Sequence, residues 1–328
     1  MNTRRSLVLA LAAGALWSRL GGAQPARRVP KVAVLWHAGS ADEEGPYYTV
    51  LQEAFENLGY VNGRTIALEH RFPNEEPAKF DSMAVELVAW KPDVLLAANV
   101  SSAVAAKKAT STIPIVFIVV PDPIGSKLVD NLARPSGNLT GLSNFAVEVT
   151  KKRLEFLKAA IPSLTRVALL INPNVPSSRR YIEESELAAG GLGLTVQPFE
   201  ARTVGDIDRA FDAMVKARMQ AVSINPEGVF FQYRNVIGQS IANHRLPTCV
   251  FSRETMVGGA LMSYGPDHRD LFRRAAAFAD KLLKGAKPSD LPVELPRKIE
   301  FVINNKMAKV LGIAIPQALM LRADEVIE

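Results

Sequence analysis

The stretch Lys31-Val-Ala-Val-Leu-Trp36 is a short apolar run, and a similar run, Arg166-Val-Ala-Leu-Leu-Ile171, occurs near the middle of the chain. Short runs of valine, leucine and isoleucine are typical of strands buried on both faces of a parallel sheet. Behind each run, strand patterns alternate with helix patterns, which is the order of a doubly wound α/β unit. The sequence therefore predicts two consecutive α/β units.

In the first unit, amphipathic helix patterns separate the strand patterns, and one helix begins with Pro77, a residue that suits the first helical turn. The predicted strands span residues 31–36, 65–69, 93–98 and 115–119, and the predicted helices span residues 48–58, 77–90 and 101–109. The segment Arg134-Pro-Ser-Gly-Asn138 precedes a further apolar run, residues 139–143, and looks like a crossing to the second unit.

The second unit repeats the alternation. Its predicted strands are residues 166–171, 195–199, 221–224 and 248–251, and its predicted helices are residues 177–192, 204–217 and 230–243. The chain continues with residues 260–264, a helix at 267–283, an extended segment at 291–296, a strand-like segment at 300–303 and a helix at 306–311. We expect these last segments to cross between the units again.

These patterns predict an α/β fold of two doubly wound parallel-sheet lobes joined by a multi-strand hinge. The N-terminal lobe is predicted to contain residues 31–143 and 266–292. The C-terminal lobe is predicted to contain residues 144–265 and 293–328.

The first residues have the order of a secretory signal peptide. Arg4 and Arg5 precede an apolar run from Ser6 to Trp17, and the small residues Gly21-Gly-Ala23 follow. This order is typical of an export signal, whereas a buried first helix would not explain the arginines and the small residues together. We predict a signal peptide at residues 1–23 and a site of action outside the cytoplasm. The Sec and twin-arginine routes both stay open, because Thr3-Arg-Arg-Ser-Leu7 resembles the twin-arginine signal.

Composition and motifs argue against several classes of function. The formal net charge of +6 is mild, and no Lys/Arg cluster with interleaved aromatic residues is present, so no nucleic-acid partner is expected. Cys249 lies in a predicted buried strand. No dinucleotide, Walker or nucleophile-elbow motif occurs, so we predict no cofactor and no catalytic residue. The histidines His37, His70, His244 and His268 lack metal-ligand spacing, so no metal site is expected and they are predicted to be surface or packing residues.

Ligands of open α/β sheets bind at the carboxyl ends of strands, where loops and helix N-termini meet. This rule selects polar residues in the loops that follow the predicted strands, namely Gly39, Ser40, Asn99, Ser101, Asp122, Asn174, Asn225 and Glu227. Aromatic residues that could form an apolar wall, or could instead pack in the core or between lobes, are Tyr47, Phe145, Phe230 and Phe231.

Two of these loops suggest specific ligand groups. Asn99-Val-Ser-Ser102 leads into a helix of small residues, and its hydroxyl and N–H groups suit a carboxylate, although ordinary helix capping explains them equally well. Asp122 lies between two prolines, and this placement favours pairing with a ligand ammonium over a role as a turn aspartate. Glu227 is a second candidate for the ammonium contact.

Longer stretches resemble one known protein family. The most specific are Gly258-Gly-Ala-Leu-Met-Ser-Tyr-Gly265 and Leu283-Lys-Gly-Ala-Lys-Pro-Ser-Asp-Leu-Pro-Val-Glu294. Further stretches with the same likeness are residues 51–63, 109–117, 122–125, 132–141, 152–157, 271–276 and 322–327. Over essentially the whole chain after the predicted signal peptide, the sequence resembles the ABC-transporter substrate-binding proteins of the TrpX-like type.

The resemblance implies a type I periplasmic-binding-protein-like fold with a cleft between its lobes. It also implies a bacterial periplasmic protein that delivers a small molecule to an ABC permease and its ATPase at the inner membrane. The cleft loops of the family match Gly39-Ser40, Asn99, Ser101, Asp122 and Asn225 of this chain. Acidic residues often occur near the position of Asn225 in the family, and Glu227 is the acidic residue that can replace them here.

The leading interpretation is a monomer that captures a small polar ligand, an amino acid or related carboxylate, by hinge closure. Two alternatives remain open at the level of sequence. One is a binding module that presents its ligand to a sensor receptor, and the other, less favoured, is an exported enzyme on the same scaffold.

Overall fold

The computed structural model of the protein describes residues 28–145, 149–175 and 177–328. The predicted signal peptide at residues 1–23 lies outside the described residues. The described residues form two α/β lobes, each built around its own sheet.

The first lobe is built around a parallel sheet with helices on both faces. Its elements in chain order are β1 (Lys31–Leu35), α1 (Pro46–Asn57), β2 (Ala67–Arg71), α2 (Pro77–Ala89), β3 (Val94–Ala97), α3 (Val100–Ala109), β4 (Ile115–Val120) and β5 (Leu139–Ser143). The strands are arranged in the order β2-β1-β3-β4-β5. The inner strands β1 and β3 are almost continuously apolar and buried, because the helices cover both faces of the sheet.

The second lobe is built around a larger sheet. Its elements up to the end of the alternation are α4 (Thr150–Ala160), β6 (Arg166–Ile171), α5 (Ser177–Gly190), β7 (Thr195–Glu200), α6 (Val204–Lys216), β8 (Ala221–Ile224), α7 (Gly228–Gln232), α8 (Arg234–His244), β9 (Thr248–Val250) and β10 (Met262–Pro266). The remaining elements of the chain are α9 (His268–Leu283), β11 (Ile299–Asn304), α10 (Asn305–Leu311), α11 (Gln317–Met320) and β12 (Glu325–Ile327). The strand order is β12-β11-β10-β9-β8-β6-β7.

The chain passes between the lobes at three places. The first connects β5 to α4, and the second connects β10 to α9, which packs against α1 and β4 of the first lobe. After α9, the chain runs beside β5, where the N–H of Glu294 donates to the carbonyl of Gly141 at 3.0 Å and the N–H of Ser143 donates to the carbonyl of Glu294 at 3.0 Å. The third crossing then leads to β11.

The prediction of two doubly wound α/β lobes is confirmed, but the second sheet is not entirely parallel as predicted. Strands β10 and β11 are antiparallel, with Pro266 opposite Ile299. The reason is the return path of the chain, because β10 ends and β11 begins at the same crossing region. The two strands must therefore run in opposite directions.

Two predicted elements have different limits in the structure. The helix predicted at 230–243 is two helices, α7 and α8, which separate at Tyr233, and the side chain of Arg234 donates to the carbonyl of Phe231 at 2.9 Å. The strand predicted at 65–69 begins only at Ala67, because the N–H groups of Thr65 and Ile66 donate to the carbonyl of Val61 in a tight turn.

Candidate functional site

A cavity of about 1000 Å³ lies between the two lobes. It is formed at the carboxyl ends of strands from both sheets, the place where open α/β sheets bind ligands. The lining residues that follow β1, β3, β4, β6, β8 and β9 are His37, Asn99, Pro121, Asn172, Glu227 and Phe251. Its size and its few convergent polar groups make this cavity the candidate binding site.

Aromatic side chains form one wall of the cavity. The ring of Tyr47 is stacked between those of Phe231 and Phe272, with centroid distances of 4.9 Å to each. Phe251 and His268 continue this wall, with their rings 6.5 Å apart. Burial lowers the pKa of His268 to about 4, so this ring is neutral at physiological pH. The wall offers a surface on which an apolar or aromatic group can pack.

A β-bulge directs Val119 into the cavity. The register between β4 and β5 shifts between Phe117 and Val120, and Val119 has a φ of 56°. A β-branched residue with positive φ is a strained conformation, since its side chain crowds the backbone there. Such strained positions cluster at binding sites, where the surrounding structure holds them in place.

The N-terminus of α3 faces the cavity. The Asn99 side chain accepts the N–H of Ser102 at 2.8 Å, and the Ser102 hydroxyl donates to the carbonyl of Trp36 at 2.7 Å. Within the described part of the chain, the N–H groups of Val100 and Ser101 and the Ser101 hydroxyl have no hydrogen-bond acceptor. Free N–H groups at the start of a helix attract anions, so this end of the cavity suits a carboxylate.

Glu227 is a buried carboxylate on the side of the second lobe, with 6% of its surface exposed. Its Oε1 accepts from the Asn225 side-chain amide at 2.6 Å and from the hydroxyls of Ser177 and Ser178 at 3.4 Å each. Burial, and then the nearby charge of Glu75, raises the pKa of Glu227 well above its ordinary value. Because burial and a neighbouring negative charge both disfavour the ionised form, a cationic partner would stabilise the Glu227 carboxylate strongly.

Glu75 reaches into the cavity from the first lobe. Both Asn74 and Glu75 have positive φ, at 59° and 53°, and their N–H groups donate to the carbonyls of Ala38 and His37. This sharp turn holds the Glu75 side chain between the lobes. Its Oε1 lies 2.0 Å from the place that a Cβ atom on Gly228 would occupy, so the contact requires glycine at that position.

His37 joins Glu75 to a second buried carboxylate. Its Nδ1 lies 3.0 Å from Oε1 of Glu75 and its Nε2 lies 3.2 Å from Oε2 of Glu44. Burial lowers the pKa of His37, but the two carboxylates outweigh burial and the net shift is upward. Glu44 itself is fully buried and accepts the N–H groups of His37 and Ala38 at 2.9 and 2.8 Å.

Polar contacts join the lobes around the cavity. The Gln232 amide donates to the Asn74 side chain at 2.6 Å, and the Arg234 guanidinium donates to the carbonyl of Glu43 at 3.1 Å. Beside the aromatic wall, the Tyr47 hydroxyl donates to Glu254 at 3.1 Å. Both lobes therefore line the same cavity and contact each other around it.

The structure places four of the nine predicted site residues in the cavity lining: Asn99, Ser101, Asn174 and Glu227. A fifth, Asn225, lies directly behind the lining, where it is buried and holds Glu227. These five belong to the loops after β3, β6 and β8, and the fold brings them together.

The other four predicted residues do not line the cavity. Asp122 accepts the N–H of Gly125 at 2.8 Å and pairs with Arg180 of the other lobe at 3.0 Å, so it bridges the lobes. Gly39 and Ser40 contact Glu43 in the loop after β1. Phe145 lies next to the first crossing with a φ of 50°.

Glu75, Phe251 and Phe272 were not predicted as site residues from the sequence. His37 and His268 were predicted to be surface or packing residues. Both histidines are buried and line the cavity. Glu75 follows β2, an edge strand, and looks like one of several charged residues of a surface loop. No local pattern separates it from Glu76, because its position depends on the fold around His37 and Ala38.

Neither a metal site nor a membrane-spanning helix is found in residues 28–145, 149–175 and 177–328. No group of three or more His, Cys, Asp or Glu side chains there could hold a metal ion. No helix in the same ranges is long and apolar enough to cross a membrane.

Known proteins resemble this chain over most of its length. A family model described as ABC transporter substrate binding protein matches residues 33–327. A tyrosine-binding protein of Clostridioides difficile (strain R20291) is 24% identical over 259 residues, which cover 79% of this chain and 74% of that protein.

Two solved structures are similar over almost their whole length. A conserved domain protein from Vibrio cholerae has a TM-score of 0.85 and 26% identity, and the match covers 91% of this chain and 100% of that chain. An ABC domain from Streptococcus pneumonia in complex with L-Trp has a TM-score of 0.83 and 26% identity, with 90% and 100% covered.

Proposed function

We propose, since the chain belongs to the family of ABC transporter substrate-binding proteins, that it captures an amino acid with an aromatic side chain and delivers it to an ABC permease. The family consists of solute-binding proteins and not of enzymes. The observation that carries the proposal is the interlobe cavity, where a buried carboxylate, a helix N-terminus and an aromatic wall meet. The names of two relatives, one tyrosine-binding and one in complex with L-Trp, support the same ligand class.

Each part of an aromatic amino acid has a suitable partner in the cavity. The ligand carboxylate would accept from the free N–H groups of Val100 and Ser101 and from the Ser101 hydroxyl. The ligand ammonium would donate to Glu227, and the side chain would pack on the wall that contains Tyr47 and Phe231. Micromolar affinity requires about 8 kcal/mol of net binding free energy, which a few charge-assisted hydrogen bonds and an apolar contact can supply.

The proposed capture mechanism is closure of two lobes about the three chain crossings. The moving units would be residues 31–143 with 266–292 and residues 144–265 with 293–328. Closure would form the interlobe contacts of Gln232 with Asn74 and of Asp122 with Arg180. It would also exclude water from the cavity, which strengthens the polar contacts to the ligand.

The proposed site of action is the periplasm. Residues 1–23 would act as a signal peptide, by the Sec or the twin-arginine route, and the mature chain would act as a monomer. Members of the family bind small molecules and work with ABC permeases, so the permease is the proposed partner.

The test is binding of a panel that contains L-tyrosine, L-tryptophan, L-phenylalanine and the remaining amino acids to the mature protein. We expect a ligand-dependent rise in melting temperature for an aromatic amino acid, together with a smaller radius of gyration in solution scattering. Ser101→Ala removes a hydrogen bond to the ligand carboxylate, and Glu227→Gln removes the negative charge that pairs with the ligand ammonium, so each should weaken binding roughly 10-fold or more. If no amino acid changes either the melting temperature or the radius of gyration, the proposed ligand class is wrong.

A further inference from the structure

Two carboxylates from opposite lobes meet at the cavity. Glu75 projects from the first lobe until its Oε1 contacts Gly228, the residue that follows Glu227 in the second lobe. The side-chain amide of Asn99 lies 3.4 Å from the same oxygen of Glu75. Closure of the lobes therefore brings the charges of Glu75 and Glu227 close together.

Each of these carboxylates keeps one oxygen without a donor among the described residues. The three donors to Glu227 all reach Oε1, and this leaves Oε2 without a partner although the residue is more than nine-tenths buried. In Glu75, the contacts with His37 and Asn99 likewise involve Oε1 alone. Both free oxygens belong to residues that line the cavity.

The cations near the cavity already have other partners. His37 lies between Glu44 and Glu75, with its ring nitrogens 3.2 and 3.0 Å from their carboxylate oxygens. At the cavity mouth, Lys108 pairs with Asp81 and Arg202 pairs with Glu200. The guanidinium of Arg234 lies over the ring of Phe231, 4.5 Å from its centroid.

No cationic side chain in the described parts of the chain pairs with Glu227. The nearby charge of Glu75 adds to burial in raising the pKa of Glu227, which is the expected sign of two facing like charges. An ammonium group between them would remove this repulsion.

We propose that Glu75 is a specificity-determining residue, which forms with Glu227 a pair of opposing carboxylates that closes around a primary ammonium group of the ligand. The inference rests on the proposed capture of a ligand in this cleft, and it adds which ligand group is required and how that group favours the closed form. A primary ammonium has three N–H donors and can contact both carboxylates at once. Without it, closure either places two like charges together or requires Glu227 to take up a proton, and both oppose closure.

This arrangement selects among close analogues. A desamino acid, which keeps the carboxylate and the aromatic ring, would leave the free oxygens of Glu75 and Glu227 without a donor in the closed cleft. An amine without the carboxylate would keep the interaction with the carboxylate pair and lose only the contact at the start of α3. The ammonium is therefore expected to matter more for binding than the carboxylate.

The test compares three probes by calorimetry: L-tyrosine, tyramine and 3-(4-hydroxyphenyl)propionate. For the wild-type protein we expect 3-(4-hydroxyphenyl)propionate to bind at least about 100-fold more weakly than L-tyrosine, since both charge-assisted contacts are lost. In Glu75→Gln, the ratio of the two affinities should fall by roughly 10-fold or more. Glu76→Gln is the matched control, because Glu76 also lines the cavity but pairs outward with Lys79, and it should keep the wild-type ratio.

A second measurement does not depend on any ligand. Scattering of the unliganded proteins at neutral pH should give a smaller radius of gyration for Glu75→Gln than for the wild type or Glu76→Gln, because closure no longer brings a second charge towards Glu227, whether that charge acts by repulsion or by forcing proton uptake. A wild-type affinity ratio together with a wild-type radius of gyration in Glu75→Gln would overturn the inference. If Glu75→Gln does not fold, Gly228→Ala, which displaces the same carboxylate from the other lobe, replaces it in the affinity measurement.

The outcomes separate this inference from the proposed function. If tyramine binds and no amino acid does, the amino-acid assignment fails while the requirement for an ammonium stands. If an amino acid binds with equal affinity to wild type and Glu75→Gln, the proposed function stands and the role of Glu75 is wrong. If none of the probes binds, the radii of gyration of the unliganded proteins decide the role of Glu75.

Discussion

The absence of a side chain at Gly228 allows the two lobes to meet. A Cβ atom there would lie 2.0 Å from Oε1 of Glu75 and 2.8 Å from the side-chain nitrogen of Asn99, both in the other lobe. We predict that Gly228→Ala weakens binding of the aromatic amino acid by roughly 10-fold or more, since it displaces a charged contact. Calorimetry measures this effect, and thermal unfolding without ligand should change little because both contacted groups are side-chain ends.

Gly205→Ala is the matched control for this substitution. Gly205 also lies in the first turn of a helix, α6, but the nearest atom to an added Cβ is the Thr203 hydroxyl at 3.9 Å. We expect wild-type affinity for Gly205→Ala. Equal affinities of Gly228→Ala and Gly205→Ala would show that the contact of Glu75 with Gly228 has no role in binding.

The residues of the site were predictable only in part. Asn99, Asn174 and Glu227 follow predicted strands, so the rule that ligands bind at strand ends selected them. Glu75 follows a strand too, but its side chain enters the cleft because two consecutive residues adopt positive φ. The sequence gives only a weak signal for that turn, because Asn74 tolerates positive φ but neither residue is glycine. Phe251 and Phe272 were missed for a different reason. An apolar residue in a core and one that lines a cavity have the same sequence pattern.

At the scale of elements, α8 packs through its backbone against another backbone segment of the second lobe, at Val257 and Gly258. A Cβ atom on Gly238 would lie 2.2 Å from the carbonyl oxygen of Val257 and 2.7 Å from Cα of Gly258. Backbone cannot move aside as a flexible side chain can, so we predict that Gly238→Ala lowers the free energy of unfolding by about 1–3 kcal/mol or more. Thermal or urea unfolding of the unliganded protein measures this.

The control for α8 is Gly190→Ala, at the end of α5. An added Cβ on Gly190 has no atom within 4 Å, and alanine favours a helix over glycine by roughly 0.5–1 kcal/mol. We expect unchanged or slightly higher stability for this variant. If Gly238→Ala unfolds at the same temperature as Gly190→Ala, the close packing of α8 does not contribute to stability.

The elements themselves were predicted more completely than the site. Periodicity located β1, β3, β4, β6 and β8, because a strand covered on both faces must be apolar throughout. The direction of β11 depends on where the chain re-enters the second lobe, which no local pattern encodes. The break at Tyr233 was also missed, since the apolar pattern continues from α7 into α8, and the contact of the Arg234 side chain with the carbonyl of Phe231 at the break leaves no mark in that pattern.

At the scale of the whole molecule, ligand binding, closure and protonation are coupled through Glu227. Burial and the charge of Glu75 raise the pKa of Glu227. As pH rises above the ordinary carboxyl range of about 4, the unfolded chain therefore releases the Glu227 proton, whereas the unliganded folded protein retains it. The unfolded state then binds fewer protons than the folded state, and this site makes the unliganded protein less stable as pH rises. A ligand ammonium favours the ionised carboxylate and opposes that loss.

Binding of an aromatic amino acid is therefore predicted to strengthen as pH rises above the ordinary carboxyl range of about 4, by up to tenfold per pH unit until the raised pKa of Glu227 is passed, because binding releases the proton of Glu227. The rise in melting temperature caused by the ligand should grow over the same range. The groups that face Glu227 are Glu75, Ser177, Ser178 and Asn225, with His37 beside Glu75, and Glu227→Gln leaves all of them in place. In this variant the ligand-induced shift in melting temperature should be smaller and nearly independent of pH.

His70 and His268 titrate as well, because burial lowers their pKa values to about 4. They change the stability of the wild type and of Glu227→Gln equally, so their effect cancels when the two proteins are compared. A shift with the same pH dependence in wild type and Glu227→Gln would show that another group binds the proton.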